Sequence, residues 1–338
     1  MDRAILRDHL KGADRPLIVS EAPLASAYGW CQGRAHELVV TLAPTADADP
    51  APAFLTPSHP LPIARPDAGQ GVVFAKLSAP TALHDEILRT HLPELLTRWA
   101  SPPRWWFIRY RHPIDHLRIR LHDPDDALAA GHLAAWAKRL RRRGLSGEIA
   151  FDSYLPETGR FGTGAAMAVA EELFAADSAA ALAQLAFLTA NPDVHPQALT
   201  AVSMAELAGA VTGSRAAGMS WLLDHPEYAA ATGAQDRDVR RQTLRLAEDG
   251  TLAMQPGGAG LTVAWTARAA VASRYASSLH FTDQRLTPGT VLGSLLHLHH
   301  NRAVGINSAA ESATYKLARS LALSHTHRST TPTHGKAR

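Results

Sequence analysis

The chain has one cysteine, Cys31, among 338 residues. A single thiol excludes an internal disulfide framework and any metal site built on several cysteines. Long hydrophobic runs are missing too: nothing approaches the roughly 18 apolar residues that suggest a membrane span. The opening residues, MDRAILRDHLKGADRP, are charged and broken by glycine and proline, so they lack the pattern of a secretory signal. Three familiar signatures are also absent: the GxxxxGK[ST] phosphate loop, a dinucleotide fingerprint on a strand–helix junction, and the GxSxG nucleophile turn. The GGAG run at 257–260 lacks that context and reads as a turn. These absences make a cytoplasmic protein without a membrane partner the expectation.

Charge of neither sign dominates. The net charge is +3, charged residues make up 19% and hydrophobic residues 46%, the balance of an ordinary globular enzyme. The length suits one large domain or two modest ones. The one dense basic run, Lys138 to Arg143, closes the helical pattern DDALAAGHLAAWAKRLRRRG, where cations favour a helix C-terminus and Gly144 supplies a stop. A solvated helix end explains the run; contact with RNA or a peptide is the other reading, and direct nucleic-acid binding is not indicated.

Residues 1–43 form a leading segment, and the Pro/Ala-rich stretch 44–71 reads as a linker. VVFAKLSA (72–79) has the pattern of a strand, and TALHDEILRTHLPELLTRWA (81–100) that of an amphipathic helix capped by Thr81. RWWFIRYR, from Arg104 to Arg111, is aromatic and β-branched, and Pro113 closes it. In His116–His122, Leu117, Ile119 and Leu121 alternate with His116, Arg118, Arg120 and His122. A period of two makes this a strand with one apolar and one basic face. GEIAFDSYLPE (147–157) reads as a further strand. From about 163 to 248 the chain is Ala- and Leu-rich with helical periodicity, interrupted at Asn191-Pro192 and His225-Pro226. Thr287-Pro288 starts a helix that runs to Gly305, and Asn307 or Ser308 caps a last one. The domain is expected to end near 324, with 325–338 a disordered tail. The fold class is therefore α+β: an antiparallel sheet flanked by helices, with a mostly helical insertion.

Three constellations carry possible chemistry. Arg118 and Arg120 project side by side from one sheet face and can hold a carboxylate bidentately. A solvated outer face whose arginines pair with local acids explains the same pattern. Glu157-x-x-Arg160-Phe161-Gly162 ends a strand, where catalytic residues are common, although Glu157 and Arg160 also suit a local ion pair. In His297-x-His299-His300-Asn301-Arg302, helical spacing puts His297, His300 and Asn301 on one face. The run lacks the carboxylate of HExxH, so no metal is expected; a neutral imidazole suits a general base, and at least two of these histidines suit a buried structural role.

Together these runs resemble one family. WWFIRYRHPIDHLRIRLH, then ExxRFG, then LLHLHHNRAVGI followed by a helix bearing Glu311, are similar to the signature runs of the lantibiotic dehydratase C-terminal domain, also found as stand-alone thiopeptide-type bacteriocin biosynthesis proteins. The resemblance covers about 72–324. It implies removal of glutamate from glutamylated Ser or Thr of a ribosomally made precursor peptide, leaving dehydroalanine or dehydrobutyrine, without a cofactor. Carried over by motif position, Arg118, Arg120, Arg160 and His297 are the catalytic candidates, with His116, Glu157, Asn301 and Arg302 binding substrate or supporting them. GWCQGRAHELVVTLAP is similar to the end of a glutamylation domain, so a separate glutamylating subunit is implied, along with a leader-bearing precursor and a homodimer. Some stand-alone family members are pyridine synthases, which join two dehydroalanines by a formal [4+2] cycloaddition and release the leader. A non-catalytic leader-binding scaffold is the third reading; it predicts that the arginines and His297 are dispensable.

Overall fold

The computed structural model describes residues 71–229, 236–282 and 286–330. Cys31, the leading segment, all but the last residue of the linker, and 331–338 lie outside the described residues. Four strands form one antiparallel sheet: β1 (Val72–Ser78), β2 (Arg104–Tyr110), β3 (His116–His122) and β4 (Ile149–Asp152), in the order β2-β3-β1-β4. Helix α1 (81–96) and α2 (Asp126–Arg142) belong to the sheet layer. The short α3 (Thr158–Phe161) leads into α4 (Ala165–Ala190), α5 (Pro196–Thr212), α6 (Arg215–Asp224), α7 (Arg237–Leu246), α8 (Gly258–Thr282), α9 (Pro288–Ala303) and α10 (Ser308–Thr330).

The alternation in β3 decides how the layers meet. Leu117, Ile119 and Leu121 join Ala75, Leu77 and Phe107 in a core closed by Leu88 and Leu92 of α1 and Leu133 and Trp136 of α2. The opposite face is covered along β2 and β3, while Lys76 and Asp152 on its β1–β4 side stay partly exposed. Trp106, the cross-strand partner of Arg120, is buried in a second core with Phe161, Phe174 and Leu296. The sheet is thus covered on one face by α1 and α2 and over β2 and β3 on the other, where the basic face of β3 turns toward the helices.

Several boundaries differ from the sequence reading. Thr81 is not a cap: Pro80 precedes the first turn, and the Thr81 hydroxyl donates to Asp115 at 2.7 Å. Helix α1 stops at Leu96, short of Ala100. The strand expected over 147–157 is confined to Ile149–Asp152, and Glu157 instead stands at the N-cap of α3. Helix α10 runs on to Thr330, into the segment expected to be a disordered tail. Helix α9 has the expected start: Thr287 Oγ1 accepts from the Thr290 N–H at 3.2 Å, Thr290 Oγ1 accepts from the Thr287 N–H at 2.9 Å, and Pro288 occupies the first turn. Helix α4 is long and apolar enough by composition to cross a membrane, but half of that stretch is buried in the protein and it carries the buried Asp177. Its part in this fold is that of a core helix.

Asp177 binds the two layers together. Its Oδ1 accepts from His299 Nδ1 at 2.7 Å and from Arg268 Nη1 at 3.0 Å, and its Oδ2 accepts from Arg302 Nη1 at 2.8 Å. Arg268 also donates to the Ser203 carbonyl at 3.0 Å, and Arg302 Nε donates to the Phe107 carbonyl of β2 at 2.9 Å. One carboxylate therefore ties α4, α5, α8 and α9 to the sheet. The outer edge of β2 is closed by the same helices. Asn301 accepts from the Arg109 N–H at 2.8 Å and donates to the Arg109 carbonyl at 3.0 Å, while Ser178 Oγ accepts from the Phe107 N–H at 3.2 Å. An edge strand sealed in this way has no free ladder for another chain.

Removing one partner of a buried ion network leaves uncompensated charge. Asp177→Ala, which strands two buried arginines, is expected to destabilise the fold by about 3–5 kcal/mol. Urea denaturation followed by circular dichroism measures this; a loss below about 1 kcal/mol would mean that the network is not what joins the layers.

Candidate active site

The basic face of β3 is held by a chain of donors and acceptors. Arg118 Nε donates to His116 Nε2 at 3.2 Å, and His116 Nδ1 lies 2.8 Å from the Ile114 carbonyl. An arginine can only donate, so Nε2 is the acceptor and the His116 proton sits on Nδ1, bonded to Ile114. Burial pushes the His116 pKa down, and the neighbouring Arg118 and Lys76 charges act in the same direction, which keeps this tautomer neutral. The Arg118 guanidinium lies 3.4 Å from the Tyr110 ring centroid. Arg120 sits between two rings, 4.5 Å from the Phe74 centroid and 5.4 Å from that of Tyr154. Burial lowers its pKa to about 10, helped by the Arg118 and Arg302 charges, so it stays cationic at neutral pH.

Neither arginine has an ion-pair partner among the described residues, and Arg120 Nε has no hydrogen-bond partner. The acid on the same sheet face, Asp152, is taken by Lys76. Arg120 lines a small cleft of about 40 Å³ with Trp106, Ile108, Tyr154, Glu157 and Leu298, and Arg302 forms part of its wall. Tyr154 packs edge-on against Trp106 and lies near Glu171, whose carboxyl pKa is raised by burial.

Glu157 and Arg160 form an ion pair at 3.2 Å, with both side chains half exposed or more. Glu157 reaches the cleft; Arg160 stands beside it, paired locally rather than on the sheet face. The glycine that follows is demanded by the backbone. Gly162 has φ +94°, and a Cβ there would lie 2.8 Å from the Ala166 Cβ.

The three histidines of α9 have different surroundings. His299 is fully buried on Asp177, and His300 is buried with its Nε2 unpartnered. His297 is 53% exposed, and its Nδ1 lies 2.8 Å from Glu311 Oε1 of α10. A carboxylate accepts the Nδ1 proton, which leaves Nε2 as the nitrogen with the free lone pair. The next residue, Leu298, lines the cleft, and Asn301, one turn on, is bonded to the backbone beside Ile108. Ile108 is the cross-strand partner of Arg118.

Arg120, Glu157 and Arg302 therefore share one cleft, with Arg118 and His116 along the strand, Arg160 on Glu157, and His297 at the neighbouring turn of α9. Asn301 and Arg302 spend their polar atoms on β2 and Asp177. Sequence reasoning missed the rings of Phe74, Tyr110 and Tyr154 and did not select Glu311 as a site residue. Tyr154 lies two residues past Asp152, and Glu311 one turn past the Asn307 cap; neither spacing alone announces a partner. Among the described residues, no group of three His, Cys, Asp or Glu side chains could hold a metal ion.

Residues 73–322 match the family described as the lantibiotic biosynthesis dehydratase C-terminus. The chain belongs to that family. The subtilin biosynthesis protein SpaB of Bacillus subtilis is 31% identical over 110 residues, which is 31% of this chain and 11% of that protein. The tRNA-dependent lantibiotic dehydratase MibB from Microbispora sp. 107891 superposes with a TM-score of 0.64 at 25% identity, covering 78% of this chain and 29% of MibB. The chain thus spans only a minor part of the length of either relative. TbtD, a pyridine synthase from thiomuracin biosynthesis, shares the fold at 14% identity with a TM-score of 0.51, covering 75% of this chain and 98% of TbtD.

Buried neutral histidines make this family member acid-sensitive. His84, His116, His299 and His300 all have pKa values lowered first by burial, His300 to about 4 from an ordinary 6.5. Between those values the unfolded chain takes up protons that the folded chain refuses, so stability falls as pH drops from about 6.5 to about 4. His300 alone accounts for about 3 kcal/mol across that window. The urea midpoint is expected to drop steadily from pH 7 to pH 4.5, and His300→Gln to flatten that slope. An unchanged slope in the variant would show that His300 takes up protons without unfolding.

Proposed function

We propose that this chain eliminates glutamate from glutamylated Ser or Thr side chains of a ribosomally made precursor peptide. The observation that carries the reading is the His297–Glu311 pair, next in sequence to a residue lining a cleft in which Arg120 has no carboxylate of its own. Elimination needs a base for the α-proton and cations for the charge that develops on the peptide carbonyl and the leaving carboxylate. His297 Nε2 takes the α-proton; the C–H electron pair becomes the Cα–Cβ double bond. The Cβ–O bond breaks, and its electrons leave with the glutamate carboxylate. The product is dehydroalanine from Ser or dehydrobutyrine from Thr. Glu311 holds His297 in the basic tautomer and stabilises the imidazolium. Arg118 and Arg120 bind the glutamyl group and ease its departure; Arg160 joins them if Glu157 releases it. His116 fixes Arg118, and Asn301 and Arg302 fix the strand and helix on which the site stands. A base of this kind contributes about 100- to 10,000-fold in rate, and a well-placed charge donor about 100- to 1,000-fold. The glutamylated substrate is the product of an aminoacylating activity.

The test is mass spectrometry of a cognate, enzymatically glutamylated precursor incubated with this protein. Each elimination removes one glutamate and leaves one dehydroamino acid. His297→Ala and Arg120→Ala are expected to lower the rate at least 100-fold, and Glu311→Gln to lower it less than His297→Ala. Full activity in His297→Ala would end the assignment of the base. If glutamylated peptide is untouched but a peptide already carrying dehydroalanines is cyclised with leader release, the protein performs the pyridine-forming cycloaddition instead.

A further inference from the structure

A second cavity, of about 380 Å³, lies among α5, the turn after α7, and α8, and shares no lining residue with the cleft. Its size falls within the roughly 300–1,000 Å³ of small-molecule sites. Val202, Leu207, Leu246 and Leu252 give it an apolar wall. In that wall stand Trp265 and Arg268, both more than nine-tenths buried, whose indole Nε1–H and guanidinium Nε–H have no partner. Buried donors are rarely left unpaired, and two in one cavity wall call for an acceptor. The rim has the opposite character. Glu206, Glu248 and Asp249 are opposed there by Arg215 alone, at 4.0 Å from Glu206 and 3.7 Å from Asp249, since the charge of Arg268 is answered by Asp177.

We propose that this cavity binds an aliphatic α-amino carbonyl group, the chemistry shared by the amino end of a peptide and a free amino-acid amide. The ammonium meets the acidic rim, the aliphatic side chain fills the wall, and the carbonyl oxygen accepts from Trp265 and Arg268. Arg268 is bonded to Asp177, which also holds His299, two residues from His297 on α9. An occupant that engages Arg268 therefore braces the helix that carries the proposed base. The site stands on its own residues, independently of the elimination reading.

Titration calorimetry on the full chain tests the proposal, with L-leucinamide and the tetrapeptide Leu-Gly-Gly-Gly as probes. Saturable binding of either is expected, with N-acetyl-leucinamide inert because it lacks the ammonium. Trp265→Phe removes a donor, and Ala269→Leu fills the cavity from its α8 wall; each is expected to raise Kd by about tenfold or more. Tighter binding of the tetrapeptide assigns the site to peptide ends; tighter binding of leucinamide assigns it to free amides. No saturable heat with either probe overturns the proposal, as does equal binding by N-acetyl-leucinamide. Unchanged affinity in Ala269→Leu overturns it independently of any folding defect in Trp265→Phe.

Discussion

Asp177 is a carboxylate without access to water, and its three partners come from two helices that would otherwise have no polar reason to meet. Burial disfavours its charge, but His299, Arg302 and Arg268 together hold its pKa far below the usual carboxylate range. The group is worth more as a specifier of geometry than as a source of stability. A well-packed apolar substitute for such a network is often as stable, whereas a half-removed one is not. What an apolar substitute could not do is fix Arg302 Nε on the Phe107 carbonyl. That bond, with the paired bonds of Asn301 to Arg109, sets where α9 lies along β2. The position of His297 relative to the arginine strand follows from it.

The basic face of β3 carries two arginines, Arg118 and Arg120, that have no acid. Two like charges two residues apart on a strand repel, and Arg120 is largely withdrawn from water as well. The fold offsets this with aromatic faces rather than carboxylates: Phe74 and Tyr154 for Arg120, Tyr110 for Arg118. A ring stabilises a guanidinium without occupying its N–H donors, so the donors stay available to an incoming anion. Lys76 on Asp152 and Arg160 on Glu157 serve the same end, since each occupies an acid that would otherwise compete. The preorganisation lies in the rings and in His116, whose neutral imidazole accepts from Arg118 without adding charge.

How much of this was legible in the sequence varied with the range of the interaction. The period-two pattern of His116–His122 located β3 to the residue, because alternation is a local property of the backbone. Thr287, Pro288 and Gly305 likewise marked α9 by chemistry confined to single turns. From pattern alone the same alternation reads more readily as a solvated face, and over β2 and β3 that reading fails: only the second core, assembled from helices distant in sequence, covers that part of the face, while Lys76 and Asp152 stay partly exposed. Thr81 was misread for a similar reason. Its hydroxyl is drawn to Asp115, across the sheet connection, and a long-range acceptor overrode a local capping preference. The rings around Arg120 come from β1 and from the segment after β4, so no window of sequence contains the site. The motifs of the family stood in for that missing range.

The histidine run on α9 shows how one helix can hold both scaffold and reactivity. Residues 299 and 300 point into the protein, where burial lowers both pKa values and keeps the rings neutral. His299 is further constrained because its Nδ1 proton is claimed by Asp177. His297, one turn before Asn301, emerges on the side where α10 presents Glu311, and that carboxylate claims its Nδ1 proton in turn. Both histidines are thus oriented by an acid at about the same distance, 2.7 and 2.8 Å. What separates them is solvent access and the neighbours of Nε2. In His299 that atom is enclosed without a partner; in His297 it belongs to a side chain more than half exposed. The imidazole–carboxylate unit that braces the core at His299 is therefore the same unit that the proposed elimination uses as its base at His297.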